Sequence, residues 1–287
     1  MKPYEILRKE QVGDRVKIFD LHAPLITRHC QPGQFLIVMT HENGERIPLT
    51  IADFDRDQSR VEIVFQEVGK STLQLGAMEV GDCLYAVVGP LGHPSETKGW
   101  KKVVAVGGGI GIAPVYPIVR AYRQNGAHTI SIIGARSKDL LLYEGKLREV
   151  SDELTVCTDD GSYGRKGLVT GPLEEVLETQ KDIELCLAIG PSIMMKSVAE
   201  TTRPFGIKTV VSLNSIMIDG TGMCGGCRVS VGGKTYFPCV DGPEFDGHEV
   251  DFDLLMSRQR MYRDEERGAI EGWFESCKIG LPERHAG

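Results

Sequence analysis

The chain has 287 residues, of which 41% are hydrophobic and 25% charged, and carries a formal net charge of −7 at pH 7. That length gives room for about two domains of ~100–200 residues, or for several smaller modules. The acidic balance speaks against a nucleic-acid partner, no apolar run approaches the ~20 residues that span a bilayer, and eight cysteines are too sparse for a disulfide scaffold.

Met1-Lys-Pro-Tyr-Glu-Ile lacks the apolar stretch of a signal peptide. Three cysteines cluster near the C-terminus, while Cys30, Cys83, Cys157, Cys186 and Cys277 are scattered. A reducing, cytoplasmic setting is expected, with the scattered thiols serving as small buried apolar residues. Residues 1 to about 98 read as short strands: Val16–Ile18, Phe35–Met39, Val61–Phe65 and Leu84–Val88 are β-branched or alternating runs. Pro32-Gly33, Gly81-Asp82 and Gly89-Pro90 separate them, and no convincing helix intervenes, which predicts a small antiparallel barrel.

After Trp100 the pattern changes. Val103–Val106, Ile130–Ile133, Leu154–Cys157 and Leu185–Ile189 are compact apolar strands, with helical stretches at 113–124, 140–150 and 192–202. Such alternation predicts a parallel, doubly wound sheet. One more strand, Thr209–Leu213, leads into the cysteine loop. Beyond it, residues 251–287 form a charged tail with apolar positions at Leu254, Leu255, Met261, Trp273 and Phe274.

Val106-Gly-Gly-Gly-Ile-Gly-Ile-Ala-Pro114 follows the first parallel strand and opens a helix. Glycines at such a turn let backbone N–H groups approach a pyrophosphate at the positive end of the helix. Pro114 suits the first turn, where an N–H has no partner. Thr158–Gly167 and Gly190-Pro191 follow two further strands. Ligands of open α/β sheets bind at the carboxyl ends of the strands, so the three loops are expected to share one crevice. In the barrel segment, Arg46-Ile-Pro-Leu-Thr50 and Val68-Gly-Lys-Ser-Thr72 offer a cation, hydroxyls and a glycine amide to a second phosphate-bearing ligand.

Asp219-Gly-Thr-Gly-Met-Cys224-Gly-Gly-Cys227, with Cys239 twelve residues on, keeps the x4-x2 spacing of plant-type [2Fe–2S] sites but places aspartate first. Zinc would accept the same four donors. Gly220, Gly222, Gly225 and Gly226 favour an iron–sulfur loop, whose backbone must come close to bridging sulfides.

In this order the motifs resemble the ferredoxin–NADP reductase superfamily, and within it the dihydroorotate dehydrogenase electron-transfer subunits and the related electron-bifurcating transhydrogenases. The resemblance implies an FAD-binding β-barrel over 1–98, an NAD(P)-binding α/β domain over 99–212, a [2Fe–2S] domain over 213–250 and a tail over 251–287 available as a subunit interface. By resemblance, Arg46, Pro48, Leu49, Thr50, Val64, Phe65 and Gln66 hold the flavin, and Ser71 and Thr72 bind the FAD pyrophosphate. Gly108, Gly109, Ile110, Gly111, Ala113 and Pro114, with Asp160, Gly190 and Pro191, match the nicotinamide nucleotide site; Arg136 could meet a 2′-phosphate. Asp219, Cys224, Cys227 and Cys239 fall on the cluster-ligand positions. The dihydroorotate dehydrogenase subunits have cysteine at the first of these, whereas the bifurcating enzymes carry aspartate. No catalytic acid or nucleophile is implied. The expected activity is electron transfer between NAD(H), FAD and the cluster, beside a larger flavo-iron–sulfur subunit. A dihydroorotate dehydrogenase role, or a non-catalytic redox or zinc module, are the alternatives.

Overall fold

The computed structural model describes residues 2–276. Its first sheet holds β1 (Ile6–Gly13), β2 (Val16–His22), β3 (Phe35–Met39), β4 (Ile47–Asp55), β5 (Arg60–Gln66) and β6 (Ala86–Leu91), in the order β1-β2-β5-β4-β3-β6. All its pairs are antiparallel, and an antiparallel bridge between Glu5 and Cys83 links the two ends of the sheet into a barrel. Phe19, Leu36, Ile51, Ile63 and Phe65 fill its interior. Two short helices sit in its connections, α1 (Pro24–His29) and α2 (Lys70–Gly76), where the sequence predicted none. Pro24 stands at the first turn of α1, where its missing N–H costs nothing.

The second sheet contains β7 (Lys102–Gly108), β8 (His128–Ala135), β9 (Glu153–Thr158), β10 (Arg165–Lys166), β11 (Leu185–Ile189), β12 (Lys208–Ser212) and, after the cysteine loop, β15 (Glu244–Asp246). Its order is β10-β9-β8-β7-β11-β12-β15, parallel except for β15, which runs antiparallel to β12. The order reverses between β7 and β11, which makes that gap the switch point of a doubly wound sheet. Helices α3 (Ile112–Gln124) and α4 (Glu144–Val150) lie on the face toward the barrel, burying Ile112, Val115 and Val119 with Val16, Ala52 and Val64 of the barrel. Helices α5 (Thr170–Thr179) and α6 (Ser192–Thr202) contribute Leu173, Leu177, Met195 and Val198 to the core of the opposite face. The helix predicted over 140–150 is shorter, because residues 138–140 form a separate 3-10 turn.

The cysteine segment carries the hairpin β13 (Val229–Val231) and β14 (Lys234–Tyr236) and a single turn, α7 (Pro238–Asp241). What read as a charged tail continues as α8 (Phe252–Arg258) and α9 (Arg263–Ser276). Asp251 caps α8 by accepting from Leu254 N at 2.9 Å, and Phe252 and Leu255 are buried with Val229, Val231 and Val250. Cys277 lies outside the described residues. Among the described residues no helix is long and apolar enough to cross a membrane.

Candidate functional site

The glycine turn after β7 and the turn after β11 meet at the switch point. A Cβ on Gly111 would stand 2.5 Å from the Ile189 carbonyl oxygen and 2.8 Å from Gly190 Cα; one on Gly108 would meet Met194 Sδ at 2.2 Å. At Gly111 only glycine permits this approach of backbone to backbone, while at Gly108 the flexible end of Met194 would have to move aside. Gly109, at φ +54°, opens the turn, and Ile110 beside it is exposed. Ala113 is buried at the start of α3, and Pro114 is half-buried. Backbone amides beside a helix start, cleared of side chains, fit a dinucleotide pyrophosphate. Arg136 and Asp160 stand at the ends of β8 and β9, where Asp160 N donates to Arg136 O at 3.2 Å. Hydrogen bonds from Ser162 hold the exposed Asp160 carboxyl below its ordinary range.

On the barrel, Pro48, Leu49 and Thr50 are half-buried on β4 and Arg46 is exposed just before it. At the end of β5 the residues alternate: Phe65 turns into the barrel core, edge-on to Phe19 at 5.0 Å, while Val64 faces α3 and Gln66 is half-buried. Phe65 is therefore a core residue, and Gln66 is the accessible member of the predicted trio. Thr72 Oγ1 accepts from Val68 N and Gly69 N, each at 3.0 Å, so it caps the start of α2. Ser71 donates to Glu45 Oε2, which sets α2 beside the chain that leads into Arg46. A half-buried strand, a hydroxyl and a cation on adjoining elements fit a flavin nucleotide.

The cysteine loop gathers its four predicted donors as two pairs. Cys227 and Cys239 are buried with their sulfurs 3.3 Å apart. Burial and the hydrogen bond with Cys227 push the Cys239 thiol up to about 12. A bound cation reverses that logic by deprotonating a ligating thiol. Cys224 is exposed, and its N–H donates to Asp219 Oδ2 at 2.8 Å, while Thr221 N donates to Oδ1 at 2.6 Å. Those bonds, that from Thr221 N foremost, hold the Asp219 carboxyl below its ordinary value. Among the described residues no three such donors already converge as a metal site. Gly220, Gly222 and Gly225 all have positive φ, between +64° and +84°, a left-handed backbone that glycine adopts without strain and that lets the loop curl tightly around its donors. Three thiols, a carboxylate and that backbone fit an iron–sulfur group.

The loop rests on the barrel. Cys227 and Cys239 share a small apolar cluster with Phe35 and Ile37 of β3. A Cβ on Gly220 would stand 2.7 Å from Ile37 Cγ1. Phe35 and Ile37 in turn pair with Thr50 and Pro48, so one strand separates the cysteines from the predicted flavin strand.

Sequence reasoning missed a charged network between the two sheets. Glu62, 1% exposed on β5, accepts from Lys146 Nζ at 2.8 Å and Arg8 Nη2 at 2.6 Å, and from Tyr143 OH. Asp53 pairs with Arg120 at 2.8 Å, and Asp20 with Arg8 and Arg60. Burial, then the Glu62 charge, push the Tyr143 phenol far above its ordinary value. The available signal was a carboxylate inside each of two apolar runs, Phe19-Asp20-Leu21 and Val61-Glu62-Ile63.

Two family models match the chain: the iron–sulfur cluster binding domain of dihydroorotate dehydrogenase B over residues 214–251, and the oxidoreductase NAD-binding domain over residues 105–200. The chain is 45% identical, over 95% of its own length and 96% of the other, to the dihydroorotate dehydrogenase B (NAD(+)) electron transfer subunit homolog of Thermotoga maritima. It superposes with a TM-score of 0.91, at 43% identity, on a chain of the NADH-dependent reduced ferredoxin-NADP oxidoreductase, covering 96% of this chain and 99% of that one. Phthalate dioxygenase reductase shares the fold alone, with a TM-score of 0.57 at 18% identity over 79% of this chain and 85% of the other. Fold, iron–sulfur segment and NAD-binding sheet agree, and the chain belongs to the family of the dihydroorotate dehydrogenase B electron-transfer subunits.

Proposed function

We propose that this chain is the smaller, electron-transferring subunit of an NADH-dependent, electron-bifurcating ferredoxin:NADP oxidoreductase, working beside a larger flavo-iron–sulfur subunit. It is an oxidoreductase subunit with FAD, NAD(H) and an iron–sulfur cluster as cofactors. The observation that carries the reading is the junction at β3 and β4. Pro48 and Thr50 pair with Ile37 and Phe35, these lie against Cys227 and Cys239, and β4 packs on α3. Neighbouring strands lie only ~4.8 Å apart.

A bound flavin exchanges hydride with a nicotinamide and single electrons with an iron–sulfur cluster, and the protein's part is to position them. In this chain the Gly108–Pro114 turn holds the dinucleotide pyrophosphate with backbone amides. Pro48–Thr50 and Gln66 hold the flavin, and Ser71 and Arg46 hold its phosphates. Asp219, Cys224, Cys227 and Cys239 hold a [2Fe–2S] cluster. Phe35, Ile37 and Leu91 form an apolar wall that keeps water from the junction. Exposed apolar Ile218, Met223 and Val240 surround the cysteine loop, and support a partner subunit docking over it.

The test is to mix the isolated chain with NADH and follow the flavin absorbance. Rapid bleaching without a partner subunit is expected, together with iron and acid-labile sulfide in the protein. Bleaching by NADPH in place of NADH would reverse the nucleotide choice, and zinc without flavin would remove the enzyme reading. A second reading, electron delivery to a dihydroorotate dehydrogenase, is favoured by the name of the Thermotoga relative. Purification from the native cell separates the two by whichever large subunit co-elutes.

A further inference from the structure

Two arginines grip the turn between Cys224 and Cys227. Arg228 Nη1 donates to the Gly225 carbonyl at 3.2 Å. Arg258, at the end of α8, donates from Nη2 to the Gly226 carbonyl at 3.1 Å. Among the described residues neither guanidinium has an ion-pair partner, whereas Arg8, Arg60, Arg120 and Lys146 are each matched by carboxylates. Both border a cavity of about 220 Å³ between the loop and α8, shared with Cys224 and Ser215.

A trans peptide is planar, with its C=O and N–H on opposite edges. Holding the Gly225 carbonyl therefore aims the N–H of the same peptide, that of Gly226, the other way, and it points at Cys224 Sγ at 3.4 Å. The Gly226 carbonyl held by Arg258 belongs to the peptide that carries the Cys227 N–H. Arg228 thus polarises the peptide whose N–H points at Cys224 Sγ, and Arg258 the peptide that carries the N–H of Cys227 itself.

We propose that Arg228 and Arg258 are positioning residues for the cluster, fixing the peptides of the C-x2-C turn and raising its reduction potential. The inference rests on the iron–sulfur reading of the loop. Reduction adds one negative charge to the cluster, and arginine stays positive at every working pH, so the pair stabilises the reduced form. Hydrogen bonds to sulfur and local charge are established controls of such potentials. Arg258 is half-buried and Arg228 exposed, so Arg258 carries the larger share and the Arg228 effect is more strongly screened by salt.

The experiment is a redox titration of the full holo-chain, followed by electron paramagnetic resonance, with iron and sulfide assayed on the same samples. Arg258→Gln should move the ratio of reduced to oxidised cluster about tenfold toward oxidised at fixed potential, about 59 mV for one electron. Arg228→Gln should move it less, Arg258→Lys should recover part of the loss, and the flavin titration should stay in place. Fully loaded variants with the wild-type midpoint overturn the proposal and leave the iron–sulfur reading intact. If Arg258→Gln fails to load, the exposed Arg228→Gln decides alone, and its unmoved midpoint is equally fatal. A wild-type chain without iron and sulfide removes both.

Discussion

Glu244 opens β15 half-buried, with Ser95 Oγ donating to its Oε1. Burial holds its carboxyl up at about 7, against the opposing pull of that hydrogen bond. Between the ordinary carboxylate range and pH 7 the folded chain keeps a proton that the unfolded chain has lost. Stability therefore falls as pH rises through that window and stays lower above it. Glu244→Gln should flatten this dependence and gain about 1–2 kcal/mol at pH 8, after allowance for solvent screening, with little gain at pH 5. Urea midpoints of the two proteins at both pH values check this; curves that stay parallel contradict it. Asp219 presents a different case, because its carboxylate already caps its own loop through Thr221 N and Cys224 N. A carboxylate has about four acceptor sites, enough to cap and to ligate together. Asp219→Cys should retain the cluster with a changed resonance spectrum, and Asp219→Ala should make it labile. An Asp219→Ala protein with normal iron content and spectrum would exclude the ligand role.

Among the elements, the contact of β4 and β5 with α3 and α4 is set by charge as well as apolar area. Glu62 is enclosed by Arg8, Arg60, Lys146 and Tyr143, so Glu62→Ala removes the buried anion from half-buried cations that keep Asp20 and Asp53 as partners. A loss of about 1–3 kcal/mol is expected, since the remaining cations are solvent-screened and keep other partners, and it is measurable by thermal or urea unfolding. Tyr143→Phe should cost about 1–2 kcal/mol, since one hydrogen bond is lost and the ring remains. Helix α8 behaves as part of the fold: truncation after residue 250 removes Phe252 and Leu255 and should strip the cluster, while truncation after residue 262 should leave the cofactors in place. Iron and flavin content of the two truncated chains decides this. Helix α9, whose Trp273 and Phe274 are half-buried, lies against α2 of the barrel.

These elements also show what the sequence could reveal. Strands β3 and β11 and helix α6 appear at the expected bounds, because a continuous apolar run between turn residues needs no distant partner to be read. Strand β4 was read only as a ligand motif, since Pro48 breaks its strand pattern, although it pairs across from Ile37. The glycine turn and the C-x2-C pair were legible because their chemistry is local. The Glu62 network was not, since Lys146 lies 84 residues away and only the folded chain brings it near. The grip of Arg258 on Gly226 is hidden for the same reason, across 32 residues.

At the scale of the molecule, the two large modules share an interface through Val16, Ala52 and Val64 with Ile112, Val115 and Val119. The cysteine segment spans the seam, touching β3 of the barrel and the edge of the parallel sheet. It leaves that sheet after β12 and returns as β15, the strand directly beside it: Ser212 pairs with Glu244 and Val210 with Asp246. Its two stems are thus pinned side by side whether or not anything fills the loop. The redox centre is built as a cartridge clipped into one rim of the scaffold. Oxidative destruction of the cluster should then be local damage: with the stems held through β12 and β15, the nucleotide-binding modules are expected to keep their shape.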